Sequence, residues 1–164
     1  MAQMKKFPPR GVRNNNPLNI RRGKDKWQGE VQYLERITTD KLGNETKTRE
    51  VDRTFCQFTE MKYGYRAAFK LLRKYIEKYQ CNTIAKIINR WAPPCENATG
   101  KYICIVCGYA IMDANTIIDV TDKDVMLNLV EGMCVAENGA KYAPSMRQEW
   151  QDALLDGYDM AMGV

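Results

Sequence analysis

Tyr65-Arg66-Ala67-Ala68-Phe69-Lys70-Leu71-Leu72-Arg73-Lys74-Tyr75-Ile76-Glu77-Lys78-Tyr79 places Tyr65, Ala68, Phe69, Leu72, Ile76 and Tyr79 at alternating three- and four-residue steps. Side chains so spaced share one face of an α-helix, so the stretch predicts an amphipathic helix with that face buried. The same period returns downstream. Ile84, Ile87, Ile88 and Trp91 predict a helix after an Asn82 cap, and Tyr102, Ile103, Val106 and Ala110 predict another. A further helix runs from Thr121 or Asp122 through Val125, Met126, Leu129, Val130 and Met133 to about Ala136, with Asn138-Gly139 as its stop signal. The last begins at Ser145, where Gln148 three residues on suggests a capping box, and it turns Trp150 or Ala153, Leu154, Tyr158 and Ala161 inward.

Upstream of Tyr65 the period changes. Val31, Tyr33 and Ile37 alternate, as do Val51 and Phe55, and Leu42-Gly43-Asn44 between them supplies turn residues, which predicts a small antiparallel hairpin. Asn14-Asn15-Asn16-Pro17 predicts a shaped loop, because Asn side chains bond nearby backbone and Pro fixes the following φ. Met1 to about Arg10 reads as a loose basic arm, barred from regular structure by Pro8 and Pro9. The expectation is a mainly α chain with a small antiparallel β-hairpin, an α+β arrangement. It comprises a flexible arm over residues 1–10 and one domain over 11–164. At 164 residues and 45% hydrophobic content, the chain suits one core better than two.

The sequence contains no histidine. That removes Ser-His and Cys-His nucleophile pairs and His-ligated zinc, leaving acid–base work to Asp, Glu, Lys, Tyr or Cys. Cys104-x-x-Cys107 lies inside an apolar element with no second such pair, so buried or half-buried thiols are expected and no metal or cofactor. The net charge is +5, with Lys5, Lys6, Arg10, Arg13, Arg21, Arg22, Lys24 and Lys26 crowding the amino end. Such a face suits an anionic polymer. Nucleic acid is the weaker choice, because no aromatics are interleaved with these cations as in a nucleic-acid module. No secretory signal follows Met1, and Tyr102 to Met112 is too short to span a bilayer, so a cytoplasmically made monomer without a membrane span is expected.

Several strings carry a resemblance. Arg13-Asn14-Asn15-Asn16-Pro17-Leu18-Asn19-Ile20-Arg21, Trp27-x-Gly29, Phe55-x-x-Phe58, Arg90-Trp91-Ala92-Pro93-Pro94-x-Glu96-Asn97-x-Thr99 and Glu137-Asn138-Gly139 occur in that order. Together they resemble a phage- and prophage-encoded family of virion structural or lytic transglycosylase-like proteins of the lysozyme-like superfamily. The order of the hairpin motifs is also similar to that of bacterial glucosaminidases. The resemblance implies a lysozyme-like fold and peptidoglycan glycan strands as the partner. It also implies an enzyme that reaches the bacterial wall after release, virion delivery or specialised secretion. In such enzymes the acid Glu ends an early helix just before the Asn-rich loop, and this sequence has no helix predicted there. The helix ending in Val135-Ala136-Glu137-Asn138-Gly139 has the required form near the other end of the chain, so a circular permutation would reunite Glu137 with Asn15 and Asn19.

Glycosidic cleavage needs a carboxylic acid that stays protonated near neutral pH, and Glu137, Glu96 and Glu30 are the candidates. Glu137 sits at a helix carboxyl end, where the macrodipole disfavours its anion; the alternative is an exposed residue before a glycine cap. Glu96 precedes a helix and suits a base or stabiliser, or simple capping. Glu30 would lie on the hairpin, as a second carboxylate or a solvated strand residue. Asn15, Asn19, Asn97 and Asn138 are candidate contacts to a sugar. Trp27, Tyr102 and Tyr142 could stack on sugar faces, while Trp91 continues the apolar stripe of its helix.

Overall fold

The computed structural model describes residues 8–32, 34–50 and 52–163. The chain is mainly α-helical with one small antiparallel hairpin. In order, it forms α1 (Arg10–Arg13), β1 (Leu34–Thr39), β2 (Glu45–Glu50), α2 (Met61–Glu77), α3 (Ile84–Trp91), α4 (Thr99–Ala110), α5 (Lys123–Asn138) and α6 (Gln148–Met162), with short 3-10 turns at Ala140–Tyr142 and Pro144–Met146.

The apolar stripes read from the sequence become the core. Tyr65, Phe69 and Leu72 of α2 are buried together with Ile84, Ile87 and Ile88 of α3, Val106 of α4, Met126, Leu129 and Met133 of α5, and Leu154 and Tyr158 of α6. Helices α2 and α6 lie side by side. Gly157 brings them close, since a side chain there would meet Tyr65 Cβ at 2.5 Å, and the Phe69 and Tyr158 rings meet edge to face at 5.2 Å. Gly132 does the same for α4 and α5, where a Cβ would stand 3.0 Å from Val106 Cα.

The helix ends differ from expectation in instructive ways. Thr83, not Asn82, caps α3, its side chain accepting from the Lys86 amide, and Asp122 caps α5 by accepting from Val125. No capping box forms at Ser145. That residue lies in a 3-10 turn and its hydroxyl donates to Glu131 at 2.8 Å, while α6 begins at Gln148, whose side chain donates to Asp152. A one-turn helix, α1, stands just ahead of the Asn-rich loop where none was predicted, following directly on Pro9.

The hairpin sits closer around its turn than the alternation indicated, its first strand beginning later and its second earlier. It pairs Ile37 with Lys47 and Thr38 with Thr46, around a turn in which Asp40 accepts from the Leu42 and Asn44 amides and Gly43 takes φ 84°. Positions 37–47 are all exposed, so Ile37 marks no buried face. Tyr33 and Val51, on which the alternation leaned, lie outside the described residues, as does most of the basic arm. Phe55 is not in the hairpin: it forms an isolated bridge with Arg21, and Glu30 bridges Phe58 in the same way. The first bridge ties the end of the Asn-rich loop, and the second the turn at Trp27–Glu30, to the segment leading into α2. Among the described residues, no helix is long and apolar enough to cross a membrane.

Candidate functional site

The four asparagines of the loop do different jobs. Asn16 is fully buried and satisfied, donating to the Ile20 and Cys56 carbonyls at 2.9 Å and accepting from the Ile20 amide. Asn14 donates to Asp52 and accepts from Gln57. Asn15, at φ 51°, donates to the Phe58 carbonyl. These bonds fold the loop back on the chain before α2. Asn19, also at φ 51°, is turned the other way, towards α5, and its Nδ2 donates to Glu137 Oε2 at 2.8 Å across 118 residues of sequence. The left-handed conformation is tolerated by Asn more readily than by most residues, and it aims Asn19 inward.

Glu137 occupies the last turn of α5. Its other oxygen, Oε1, accepts from the Tyr102 hydroxyl of α4 at 3.1 Å. Burial pushes its carboxyl above the ordinary glutamate range; hydrogen bonds from Asn19, Tyr102 and Trp91 pull the other way without cancelling that effect. The position at a helix carboxyl end disfavours the anion as well. Yet the residue is not sealed. It lines a groove of about 550 Å³ together with Asn19, Arg21, Tyr75 of α2, Trp91 of α3, and Glu96 and Asn97. Arg21 and Glu96 form an ion pair at 3.5 Å. Both partners are exposed, so the pair is weak and can open.

The groove therefore brings together Glu137, Glu96, Asn19 and Asn97 from the candidates named in the sequence, with Tyr102 behind Glu137. Tyr102 itself is 8% exposed, so it presents no face for stacking and acts as a donor to the carboxyl. Glu96 is no helix cap: α4 follows Ala98 without a side-chain cap bond, and Glu96 points to Arg21. Asn138 is buried, its Nδ2 donating to the Pro17 carbonyl at 2.7 Å and the Cys134 carbonyl at 3.0 Å, which pins the Asn-rich loop to α5 and leaves no surface for a sugar.

The rest of the candidates lie elsewhere. The Glu30 side chain is 4% exposed, accepts from the Trp27 amide at 2.9 Å and pairs with Arg22 at 3.2 Å, so this carboxylate is a buried structural partner and neither a hairpin residue nor a groove residue. Trp27 packs against the core. Asn15 lies outside the groove, and Tyr142 packs on Trp150 with ring centroids 5.9 Å apart. Part of the basic amino end is also paired within the chain: Arg10, though exposed, is held bidentately by Asp52, and the more buried Arg22 reaches Glu30 and the Val31 carbonyl.

The thiols correct part of another expectation: Cys104 is exposed, whereas Cys107 is half buried as expected. Cys104 borders a larger depression of about 710 Å³ with Ile105, Tyr109, Val135 and Ala136, but no carboxylate among the described residues lines it. Sequence reasoning missed Arg90, Tyr75 and Phe55 as groove residues. The one available signal was the adjacency of Arg90 to Trp91 at the end of a short helix. Arg90 stacks on Tyr79 at 4.0 Å and on Tyr75 at 5.1 Å, and Phe55 lies under Arg10 and Arg21.

No family model matches the chain. Over 100 residues it is 40% identical to a protein called Protein P5 from Pseudoalteromonas phage PM2, a match covering 59% of this chain and 52% of that protein. The chain thus spans about half the length of the curated relative it matches. The relative comes from a phage, and its name specifies no activity.

Proposed function

We propose that this chain cleaves peptidoglycan glycan strands, with Glu137 as the general acid. The observation that carries the reading is a carboxyl raised by burial yet opening onto a groove, fixed by hydrogen bonds to both of its oxygens. That combination favours the protonated carboxyl relative to an exposed glutamate and presents it to a ligand. In the reaction, the Glu137 proton passes to the glycosidic oxygen as the C–O bond breaks, its electron pair leaving with that oxygen. The carbon is then taken by water or by a hydroxyl of the same sugar, and the Glu137 carboxylate receives the proton that this nucleophile gives up. Glu96, the other carboxylate lining the groove, is paired with Arg21, so attack by the sugar's own hydroxyl, the lytic transglycosylase outcome, fits better than hydrolysis that needs a second free carboxylate. The fold is read as lysozyme-like and circularly permuted, with α5 standing in for the early catalytic helix.

Digestion of purified peptidoglycan, followed by mass spectrometry of the released fragments, tests the activity and identifies the bond cut. Glu137→Gln keeps the size and removes the transferable proton, so it is expected to lose roughly 10²-fold or more in rate while remaining folded. Near-normal turnover in that variant overturns the assignment. A second reading, a virion structural or wall-binding protein without turnover, draws support from the internal bonding of Glu137, which also locks the loop to α5. Wall retention by a parent protein that releases no fragments favours it.

A further inference from the structure

Asn19 and Asn138 each carry a buried side-chain oxygen that no donor among the described residues reaches. Both oxygens border the same small space above Gly11. A Cβ placed on Gly11 would lie 2.5 Å from Asn138 Oδ1 and 3.1 Å from Asn19 Oδ1. Two unpaired acceptors confined together are unfavourable, since each has given up water without gaining a donor. Asn138 cannot relieve this by turning, because its NH₂ is held by the Pro17 and Cys134 carbonyls. Asn19 can. Among the described residues its NH₂ has one partner, Glu137 Oε2 at 2.8 Å, and rotation about its terminal torsion exchanges nitrogen and oxygen at nearly the same positions.

In the turned orientation the Asn19 NH₂ enters the space over Gly11, where the Asn138 oxygen waits for a donor. The Asn19 carbonyl oxygen then faces Glu137 Oε2 at an ordinary O–H···O separation. That contact is repulsive for a carboxylate and favourable for a carboxylic acid. We propose that the Asn19 amide is a proton-linked switch: with Glu137 ionised, its NH₂ donates to the carboxylate. With Glu137 protonated, it turns so that Glu137 donates to Asn19 Oδ1 and Asn19 donates to Asn138 Oδ1. Only the protonated arrangement satisfies both buried oxygens. Asn138 is thereby a positioning residue acting through Asn19. For its meaning in catalysis the inference rests on Glu137 being the general acid: the switch holds the proton until the glycosidic oxygen takes it, then turns to stabilise the carboxylate left behind.

The neighbouring groups leave the titration legible. From α4 Tyr102, from α2 Tyr75 and from α5 itself Cys134 are all pushed up by burial, Cys134 to about 11, and stay neutral where a carboxyl titrates. Arg21 and Arg90 contribute fixed charge on the groove, and Glu96 is its other carboxyl.

NMR on the full chain tests the switch without reference to activity. As the pH falls through the Glu137 midpoint, followed by its side-chain carboxyl ¹³C shift, nuclear Overhauser contacts from the Asn19 NH₂ to the Gly11 Hα atoms are expected to strengthen. An amide fixed as a donor to Glu137 keeps one contact intensity at every pH and overturns the proposal. Should the contacts strengthen with falling pH in a protein that releases no glycan fragments, the switch stands and the proposed activity falls. If the protein cleaves glycan, Glu137→Gln is inactive, and the contacts keep one intensity at every pH, the activity stands and the switch falls.

Discussion

Gly11 shows how one residue can set the candidate site. It lies in the one turn of α1, and the absence of a side chain there leaves room for the amides of Asn19 and Asn138. A methyl group at that position would stand 2.5 Å from Asn138 Oδ1 and 2.9 Å from the Asn16 carbonyl, and the latter is backbone that cannot swing away. Gly11→Ala is therefore expected to cost about 1–3 kcal/mol through overpacking. Gly23→Ala, with nothing within 4 Å, should leave the denaturation midpoint nearly unchanged. Equal midpoints for the two variants would show that the contact is soft. Glu137 contributes to stability with the opposite pH sign from most carboxylates. Because burial raises its folded value, its ion is disfavoured in the fold. Relative stability is greatest below the unfolded glutamate range, about pH 4, and is lost as pH rises through the folded value. Glu137→Gln should accordingly melt no lower than the parent at pH 7, with the difference closing towards pH 4; a lower melting temperature at neutral pH would assign Glu137 a structural role instead.

Among the elements, the long helices were legible because each buries one stripe at a period of 3.6 residues, and α2, α4 and α5 lie where Tyr65, Tyr102 and Val125 indicated. Their ends were less so. Capping depends on which side chain swings back to an amide, and Thr83 rather than Asn82 does so for α3. Thr83→Ala should cost about 1 kcal/mol in thermal or chemical unfolding. Ser145→Ala, at a residue that caps nothing and lies exposed, should stay within about 0.5 kcal/mol. The reverse order would restore the capping box at the start of α6. The hairpin was misplaced for a related reason: alternation reports a strand only when one face is buried, and the described hairpin positions are exposed on both.

For the molecule as a whole, charge is partly an internal matter. Arg10 holds Asp52 bidentately, Asn14 and the Thr54 and Phe55 amides add hydrogen bonds, and together they overcome the upward push of burial to hold the Asp52 carboxyl well below the usual range. A depressed carboxyl contributes stability that is present above the unfolded aspartate range, about pH 4, and is lost as pH falls through the folded value. Asp52→Asn should thus destabilise the protein by about 1–3 kcal/mol at pH 7 and flatten the acid limb of its stability curve. An unchanged acid limb would place the acid sensitivity elsewhere. Arg21 and Arg90, facing the groove, remain as the cations placed to meet an anionic ligand.

The sequence by itself determined the helical class, the succession of helices and the exclusion of histidine chemistry, because hydrophobic period and residue type are local properties of the chain. It also marked Glu137, through the turn signal that ends its helix. Only the tertiary structure decided which carboxylate faces what. Glu30 and Glu137 are both removed from bulk water, but Glu30 is paired with Arg22 and closed in, while Glu137 meets uncharged donors among the described residues and opens on a groove. The environment of a carboxyl is set by residues distant in sequence, such as Asn19 against Glu137, and no local pattern encodes which distant partner folding will bring.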